Sequence, residues 1–353
     1  MAMTNRFLRF NRRQFLAGTA GTAALPLVSS GPSFAQGKSI VVGNWGGDWN
    51  ARISRIFDKP FEAKNGVSIT YDFGNGPDRK TKLLAQKNLP RGSMDVAHLV
   101  DNDAYEMQIK DVLEPLDTSK IPNWGNVFPT FKTDYYLPYV VAAFVIVYNS
   151  EKIPEAPKSL NDLINPKYAG RVGLIDQTYY QYIQAAAFAA GGTANDVSSA
   201  FPKLLELKKA TQPRFYTAHE QTAAAFKNGE IWVTMNYVAR ALQWSRDGIP
   251  VKTFYPTEGT GVSSFGLGIP KRARDKEAAY AYLNQFVDPA LVGQMCADSF
   301  YAPAINNAVL PPDLKDVIDY PRAHLNEMKM LDYEYAGQNV TKWLDWWNKE
   351  MKG

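Results

Sequence analysis

The strongest feature of the hydrophobic pattern is one uncharged run, residues 136–149, which is rich in β-branched and aromatic side chains. That composition favours a strand over a helix, and Pro138 would break a helix at this point. With its proline, the run is too short and irregular to span a bilayer. We therefore predict a long strand, buried on both faces, that lies centrally in a sheet or passes from one core to the next.

A second extended run, rich in glycine, follows at residues 260–270. We interpret the two runs as the outward and return crossings between two lobes, with a third pass near 301–304. The glycines of the second run are expected to permit the dihedral change of a hinge. A chain that leaves one lobe and returns makes a cleft, and clefts between domains commonly bind small ligands.

Strands and helices alternate before the first crossing. The predicted strands are 39–49, which ends in a glycine turn, 67–73 and 94–100, and the predicted helices are 50–65 and 77–87. This order is typical of a parallel sheet covered by helices, in which ligands bind beyond the carboxyl ends of the strands. The side chains that this arrangement places at the rim are Trp45, Asp48, Asp101 and Asn102.

The segment between the crossings predicts a second α/β unit. Its predicted strands are 170–176, 230–237 and 251–256, and its predicted helices are 161–168, 179–191, 197–210 and 217–228. Asp176 and Tyr237 end two of these strands. After the return crossing the pattern predicts helices at 276–287, 290–299 and 340–350. The last of these carries three tryptophans at helical spacing, which we expect to pack in the core.

The first 35 residues have the pattern of an export signal. Four arginines precede the apolar stretch 15–28, and small residues at Ser33 and Ala35 match the two positions that a signal peptidase recognises. Arg12 and Arg13 stand in a sequence that resembles the twin-arginine signal, whose pathway carries folded proteins. The alternative is a membrane anchor that stays in place. We predict a signal peptide over 1–35 and a periplasmic location for the rest of the chain.

Charge argues against nucleic acid as a partner. The formal net charge is +4, and the four arginines of the predicted signal account for all of it, since +4 minus 4 leaves zero. The mature chain therefore has no basic field for nucleic acid. A single cysteine, Cys296, cannot form an intramolecular disulfide.

Signals for catalysis are weak. His98, His219 and His324 lie in unrelated contexts without the His-x-x-x-His spacing of a metal site, and the chain has no Gly-x-Ser-x-Gly elbow or phosphate loop. We expect no enzyme activity, no metal and no cofactor. A secreted two-lobed α/β hydrolase or lyase is the alternative of another class, and turnover of a candidate ligand would favour it.

Several short motifs keep an order and spacing that resemble one family. They lie at 44–45, 147–149, 159–163, 166–171, 226–231, 248–251, 255–259 and 268–271. With the export signal, they resemble the extracellular solute-binding proteins of ABC importers, specifically the spermidine/putrescine-binding group and its relatives. The resemblance implies the type II periplasmic binding protein fold, an α/β fold with a ligand cleft between two lobes, each a mostly parallel sheet flanked by helices.

The crossings divide the mature chain between the two lobes that this fold implies. We predict that residues 36–141 and 261–305 form lobe 1, and that residues 142–260 and 306–353 form lobe 2.

The resemblance implies a site for an amine. A polyamine is an apolar rod with ammonium groups, so the family's site combines aromatic rings with carboxylates. Trp45 matches one ring of that site, Tyr237 stands where the family has a tryptophan, and Asp176 matches an acidic strand end. At the return crossing, Ser263 and Phe265 replace the family's tryptophan and aspartate.

Each candidate residue also has a structural alternative. The candidate ligand-binding residues are Trp45, Asp48, Asp101, Asn102, Asp176, Tyr179, Tyr237, Arg240, Ser263 and Ser264. The aromatic residues could pack within their lobes, with Tyr179 and Tyr180 split between cleft and core. The acids and the asparagine could cap helices, and the serines could form a flexible hinge. Arg240, one turn after Tyr237, could bind a ligand carboxylate or phosphonate, or could be a surface or salt-bridged arginine.

We predict that the chain captures a small polyamine-like solute and delivers it, as a monomer, to an ABC permease in the inner membrane. The missing aromatic and acidic residues leave a second ligand class open, a zwitterionic or anionic solute such as an amino acid derivative, an opine-like conjugate or an aminophosphonate. A ligand sensor subunit that docks on a receptor is a further alternative. A neighbouring gene for a permease would favour transport.

Overall fold

The computed structural model describes residues 38–318, 324 and 328–353, so the predicted export signal lies outside the described residues. The described chain is a mixed α/β structure built from eleven strands and the helices between them. None of the helices in this part of the chain is long and apolar enough to cross a membrane.

Most predicted elements are present, with shifted ends. The strands are β1 Ser39–Asn44, β2 Ser68–Phe73, β3 Val96–Val100, β4 Leu137–Asn149, β5 Gly173–Ile175, β6 Arg214–Tyr216, β7 Val233–Tyr237, β8 Val251–Phe254, β9 Thr260–Gly268, β10 Ala302–Pro303 and β11 Met328–Met330. The helices are α1 Gly47–Ile53, α2 Lys59–Asn65, α3 Gly76–Gln86, α4 Asp101–Ile109, α5 Leu160–Leu163, α6 Tyr179–Ala189, α7 Ala200–Thr211, α8 His219–Lys227, α9 Val238–Arg246, α10 Lys276–Gln285, α11 Pro289–Ser299, α12 Pro312–Ile318 and the C-terminal helix Tyr333–Trp346.

Strand β4 is the long strand that the apolar run predicts, and every one of its residues is buried. Its first half, Leu137 to Ala143, pairs with β9, and Val140 and Val141 also pair with β10. Its second half, Phe144 to Asn149, pairs with β7 and β8 instead. One strand therefore belongs to two groups of strands, as a crossing requires.

The sheet combines parallel and antiparallel pairs. The strand order is β10-β4-β9-β3-β1-β2. In addition, β11 pairs with β9, and both β7 and β8 pair with β4. Strands β5 and β6 form a separate parallel pair. The parallel arrangement predicted for the first three strands is confirmed, since β1 pairs in parallel with both β2 and β3. The crossings β4 and β9 run antiparallel to each other and β9 runs antiparallel to β3, because a return strand reverses direction.

Two glycines of β9 allow close packing. A Cβ atom on Gly266 would lie 2.2 Å from the carbonyl oxygen of Leu137, and one on Gly261 would lie 2.5 Å from the side-chain oxygen of Gln184. Neither residue has a left-handed backbone conformation. The structure therefore explains these glycines by the close approach of β4 and α6, whereas the sequence suggested hinge freedom.

The helix predicted for residues 50–65 forms in three parts. A π-helical turn, Ser54–Asp58, separates α1 from α2, and Pro60 lies in the first turn of α2, where a missing N–H is tolerated. At the other end of the chain, Trp343 and Trp347 are buried, as predicted for packing residues. Cys296 is buried within α11.

Candidate functional site

The carboxyl ends of β1 and β3 lie side by side next to β9. Trp45 follows β1, Asp101 follows β3, and Val100 is paired with Phe265 of the antiparallel neighbour β9. The register therefore brings the Ser264 and Phe265 segment of β9 alongside the two strand ends. The predicted rim of the first unit and the predicted return crossing meet at this point.

Asp101 is the acid at the centre of this rim. It is 6% exposed and is the first residue of α4. One carboxylate oxygen accepts hydrogen bonds from the backbone N–H and the hydroxyl of Ser264, at 2.7 and 3.4 Å, and the other accepts the N–H of Asn102 at 2.8 Å. These contacts fix the carboxylate against β9.

The Asp101 carboxylate has no cationic partner among the described residues. Burial raises the pKa of Asp101 from 3.8 to about 6, although the hydrogen bonds from Ser264 and Asn102 act in the opposite direction. The hydroxyl of Tyr333 faces this carboxyl group but has no partner that meets hydrogen-bond geometry. A buried carboxylate without a cation is unfavourable, and a cationic ligand would relieve the cost.

A line of polar side chains runs from β9 to the end of β7. The amide of Gln181 donates a hydrogen bond to the hydroxyl of Ser263 at 3.0 Å, and both residues are buried. The hydroxyl groups of Tyr180 and Tyr237 lie 3.4 Å apart. Burial raises the pKa of Tyr180, and the negative charge of Asp101 raises it further. The line therefore connects the acid at β3 with the end of β7.

Aromatic rings form the wall next to Trp45. Its ring packs edge-to-face with Trp49 and Phe265, with centroids 6.0 and 6.1 Å apart. Tyr301 packs edge-to-face with both Trp49 and Phe265 at 5.2 Å. Phe265 is therefore a ring of this wall.

One face of Trp45 already has a cation. The guanidinium carbon of Arg79 lies 4.8 Å from the centre of the Trp45 ring, and Arg79 is 2% exposed. Burial lowers the pKa of Arg79 to about 10, and the charges of Asp103 and Asp72 oppose that shift. A ligand ammonium beside Trp45 would therefore meet the positive charge of Arg79, so Trp45 suits an apolar part of a ligand better than a charged end.

Arg240 lies on α9, one turn after Tyr237, and is half-buried. Its guanidinium donates to the side-chain oxygen of Gln243 at 3.4 Å and makes no salt bridge with any described residue. Burial raises the pKa of Tyr301, and the positive charges of Arg240 and Arg52 act against that rise. Arg240 therefore lies close to the aromatic wall.

The carboxylate of Asp176 is already occupied. It accepts the indole N–H of Trp347 at 3.0 Å and the ammonium of Lys352 at 2.8 Å, which ties the end of β5 to the end of the chain. A ligand amine at this position would have to displace Lys352. Asp48, in the first turn of α1, is exposed.

Asn102 and Tyr180 line a cavity of about 650 Å³ between α4 and the C-terminal helix. The rings of Tyr105 and Tyr333 stack across it with centroids 5.7 Å apart. Tyr179 instead donates its hydroxyl hydrogen to the carbonyl of Val340 at 3.2 Å. Of the two adjacent tyrosines, Tyr180 is the one that lies next to Tyr237.

Sequence reasoning did not select several residues that the structure places here. They are Trp49, Gln181, His219, Asn236, Tyr301 and Tyr333. The sequence contained a clue to Trp49 and Tyr301. Trp49 ends the predicted strand that leads to the rim, and Tyr301 begins the predicted third pass between the lobes. Gln181 and Asn236 looked like ordinary helix and strand residues. Among the described residues, no group of three or more His, Cys, Asp or Glu side chains is placed to hold a metal ion.

The sequence matches the family model of the bacterial extracellular solute-binding proteins over residues 57–322, well over half of the chain. One similar relative is the putrescine-binding periplasmic protein of Escherichia coli, which is 27% identical over 372 residues, covering 94% of this chain and 97% of the relative.

Two solved structures are similar to this chain in fold. The spermidine/putrescine ABC transporter substrate-binding protein of Streptococcus pneumoniae is 22% identical, with a TM-score of 0.75 over 89% of this chain and 99% of the other. A GABA receptor is also 22% identical, with a TM-score of 0.76 over 89% of this chain and 97% of the other. These likenesses show the two-lobed α/β fold of periplasmic binding proteins. The chain belongs to the bacterial extracellular solute-binding protein family.

Proposed function

We propose that the chain binds a small solute with one ammonium group, and that Asp101 holds this ammonium. The observation that carries the proposal is a carboxylate that is 6% exposed and has no cation among the described residues. A bound ammonium supplies both the missing charge and hydrogen-bond donors. The rings of Trp45, Phe265 and Tyr301 supply an apolar wall for the rest of the solute.

The surrounding charges favour a single ammonium group. A second ammonium in a closed cleft needs a second acid, because an unpaired buried charge is costly. Asp176 is paired with Lys352, Asp48 is exposed, and Arg79 places a positive charge beside Trp45. Asp101 is therefore the acid that we assign to the ligand.

A diamine is the second candidate. It is favoured by the putrescine-binding relative, which is 27% identical over nearly the whole chain. For a diamine to bind in the same way, Lys352 would have to release Asp176 or the exposed Asp48 would have to turn towards the ligand. Each change has an energetic cost that one ammonium group avoids.

The experiment is isothermal titration calorimetry of the mature protein with butylamine, 4-aminobutanoate, putrescine and spermidine. Burial raises the pKa of Asp101 to about 6, so part of the Asp101 carboxyl groups should carry a proton at pH 6, and a bound ammonium would expel it. Titrations in two buffers with different heats of ionisation should therefore show proton release at pH 6 and almost none at pH 8. Asp176→Asn is the matched control and should leave the proton release unchanged.

Two results would contradict the proposal. Tight amine binding without proton release at pH 6 would show that Asp101 is not the partner. Tighter binding of putrescine than of either single amine, lost in Asp176→Asn, would favour the diamine and the family's pattern of acids.

We further propose that residues 1–35 export the chain to the periplasm by the twin-arginine route, where it serves an inner-membrane permease as a monomer. The family's extracellular class and the paired arginines support this location. Replacing Arg12 and Arg13 together by lysine should keep the precursor in the cytoplasm, as cell fractionation would show. Periplasmic recovery of that double variant would contradict the route.

We propose that lobe closure, without chemistry, is the working step, with lobe 1 formed by 36–141 and 261–305 and lobe 2 by 142–260 and 306–353. The change of partners along β4 near Ala143 supports this division. Small-angle scattering should show compaction with a saturating ligand, and mass spectrometry should recover the ligand unaltered. A constant radius of gyration would contradict closure, and a converted ligand would favour an enzyme.

A further inference from the structure

Three nitrogen-bearing side chains lie together beside Tyr237. The ring of His219 is tilted against that of Tyr237, with centroids 6.1 Å apart. Asn236 is fully buried immediately before Tyr237 and faces His219. Burial and the nearby charge of Arg240 lower the pKa of His219 to about 4, while Glu220 and Asn236 oppose the shift. The cluster joins the start of α8, the end of β7 and the first turn of α9.

Two polar nitrogen atoms in this cluster lack hydrogen-bond partners. Nδ2 of Asn236 and Nδ1 of His219 are buried and have no hydrogen-bond partner among the described residues. The guanidinium of Arg240 contacts the neutral Gln243 and pairs with no described carboxylate. A buried polar group without a partner destabilises a folded protein. The amide of Asn236 can donate to an anion, Nδ1 of His219 can donate in the tautomer that carries its proton there, and the positive charge of Arg240 adds attraction.

The cluster connects to Asp101 through the tyrosine pair. The negative charge of Asp101 raises the pKa of Tyr180. The hydroxyl of Tyr180 lies 3.4 Å from that of Tyr237, and the ring of Tyr237 packs against the ring of His219. Two tyrosine side chains therefore lie along the path from the buried acid to the cationic cluster. A ligand that reaches both must carry its two charges at opposite ends.

We propose that Arg240, His219 and Asn236 form an anion subsite for the far end of the ligand whose ammonium binds Asp101. This inference rests on the proposed function and narrows the ligand to a short chain with an ammonium at one end and a carboxylate or phosphonate at the other. Arg240 supplies the charge and a planar set of donors, and the two buried nitrogens supply orientation. An α-amino acid has its ammonium and its carboxylate attached to the same carbon, so it is poorly suited to reach both Asp101 and the cluster.

The test compares ligands that differ only at the far end, by calorimetry at pH 7.5. 4-Aminobutanoate should bind more tightly than butylamine and more tightly than alanine, and 3-aminopropylphosphonate distinguishes a phosphonate from a carboxylate. Arg240→Gln should weaken 4-aminobutanoate by about tenfold to a hundredfold and leave butylamine unchanged. His219→Phe, which keeps a ring without nitrogen atoms, should give a smaller loss for 4-aminobutanoate only.

Arg246→Gln is the matched control. It removes an exposed arginine from the same helix, where the guanidinium lies over the ring of Phe300, and should leave all ligands unchanged. Arg240→Glu should make putrescine bind more tightly than 4-aminobutanoate, because the new carboxylate can pair with the second ammonium of putrescine. Equal binding of butylamine and 4-aminobutanoate, or an equal loss of both in Arg240→Gln, would overturn the anion subsite and leave the role of Asp101 intact. Failure of every amine to bind would overturn the proposed function itself.

Discussion

Two aspartates of this protein stand in matching positions and have opposite environments. Asp101 follows β3 and opens α4, and Asp176 follows β5 and precedes α6. Asp101 is buried against Ser264 without a cation, whereas Asp176 is held by Trp347 and Lys352. We propose the first as the partner of a cationic ligand, whereas the second joins the end of the chain to the end of β5.

The comparison shows that residues far away in the chain determine the environment of an acid at the end of a strand. Both partners of Asp176 lie more than 170 positions later, and the burial of Asp101 depends on β9, 163 positions away. The local sequence of each acid is compatible with either role. We expect the following variants to separate the two roles, from the largest effect to the smallest.

Asp101→Asn should nearly abolish ligand binding. The amide keeps the shape and the hydrogen bond from Ser264 but removes the charge that balances a buried ammonium, so the loss should be about 3 kcal/mol or more, at least a hundredfold in affinity. Calorimetry with 4-aminobutanoate measures it. Asp176→Asn is the paired control, and an equal loss in both variants would remove the distinction between the two acids.

The same variant should stabilise the ligand-free protein at neutral pH. The raised pKa of Asp101 means that the folded state holds a proton between pH 3.8 and about 6 that the unfolded chain has lost, so stability falls as pH rises through this window. Asp101→Asn lacks that fall, so its free energy of unfolding relative to wild type should rise by about 2–3 kcal/mol between pH 4 and pH 7. The hydrogen bond from the N–H of Asn102, which the amide nitrogen cannot accept, subtracts an amount that does not vary with pH. Urea unfolding at several pH values measures it.

Asp58 is the control for that pH dependence. Burial raises the pKa of Asp58 to about 6 as well, while Tyr71 and Tyr282 oppose the shift by hydrogen bonding. Its contribution is common to both proteins, so the difference between the two unfolding curves isolates Asp101. A difference that does not vary between pH 4 and pH 7 would show that Asp101 keeps an ordinary pKa.

Lys352→Met should have the smallest effect. The ion pair with Asp176 is partly exposed, with 38% of the lysine side chain and 22% of the aspartate side chain accessible, so its loss should cost about 1 kcal/mol or less. Thermal unfolding measures this change. Because the variant leaves Asp176 without its cation, a gain in putrescine affinity would show that Asp176 can also serve a ligand.

Local patterns determined much of this architecture. The uncharged run that became β4 and the strand–helix alternation that became β1, β2 and β3 follow from the spacing of apolar residues, which acts over a few neighbours. The same spacing placed Trp45 and Asp101 at strand ends. The two-lobed fold and the solute-binding family could be inferred from the motifs that lie along these elements.

Tertiary structure alone decided which partners these residues have. Lys352 neutralises Asp176, Arg79 covers one face of Trp45, and Tyr180 rather than Tyr179 lies next to Tyr237. Asn236 and His219 became candidates only when β7, α8 and α9 brought them beside Arg240. Burial and charge pairing depend on the distance between groups in space, and residues that are far apart in the chain supply those groups.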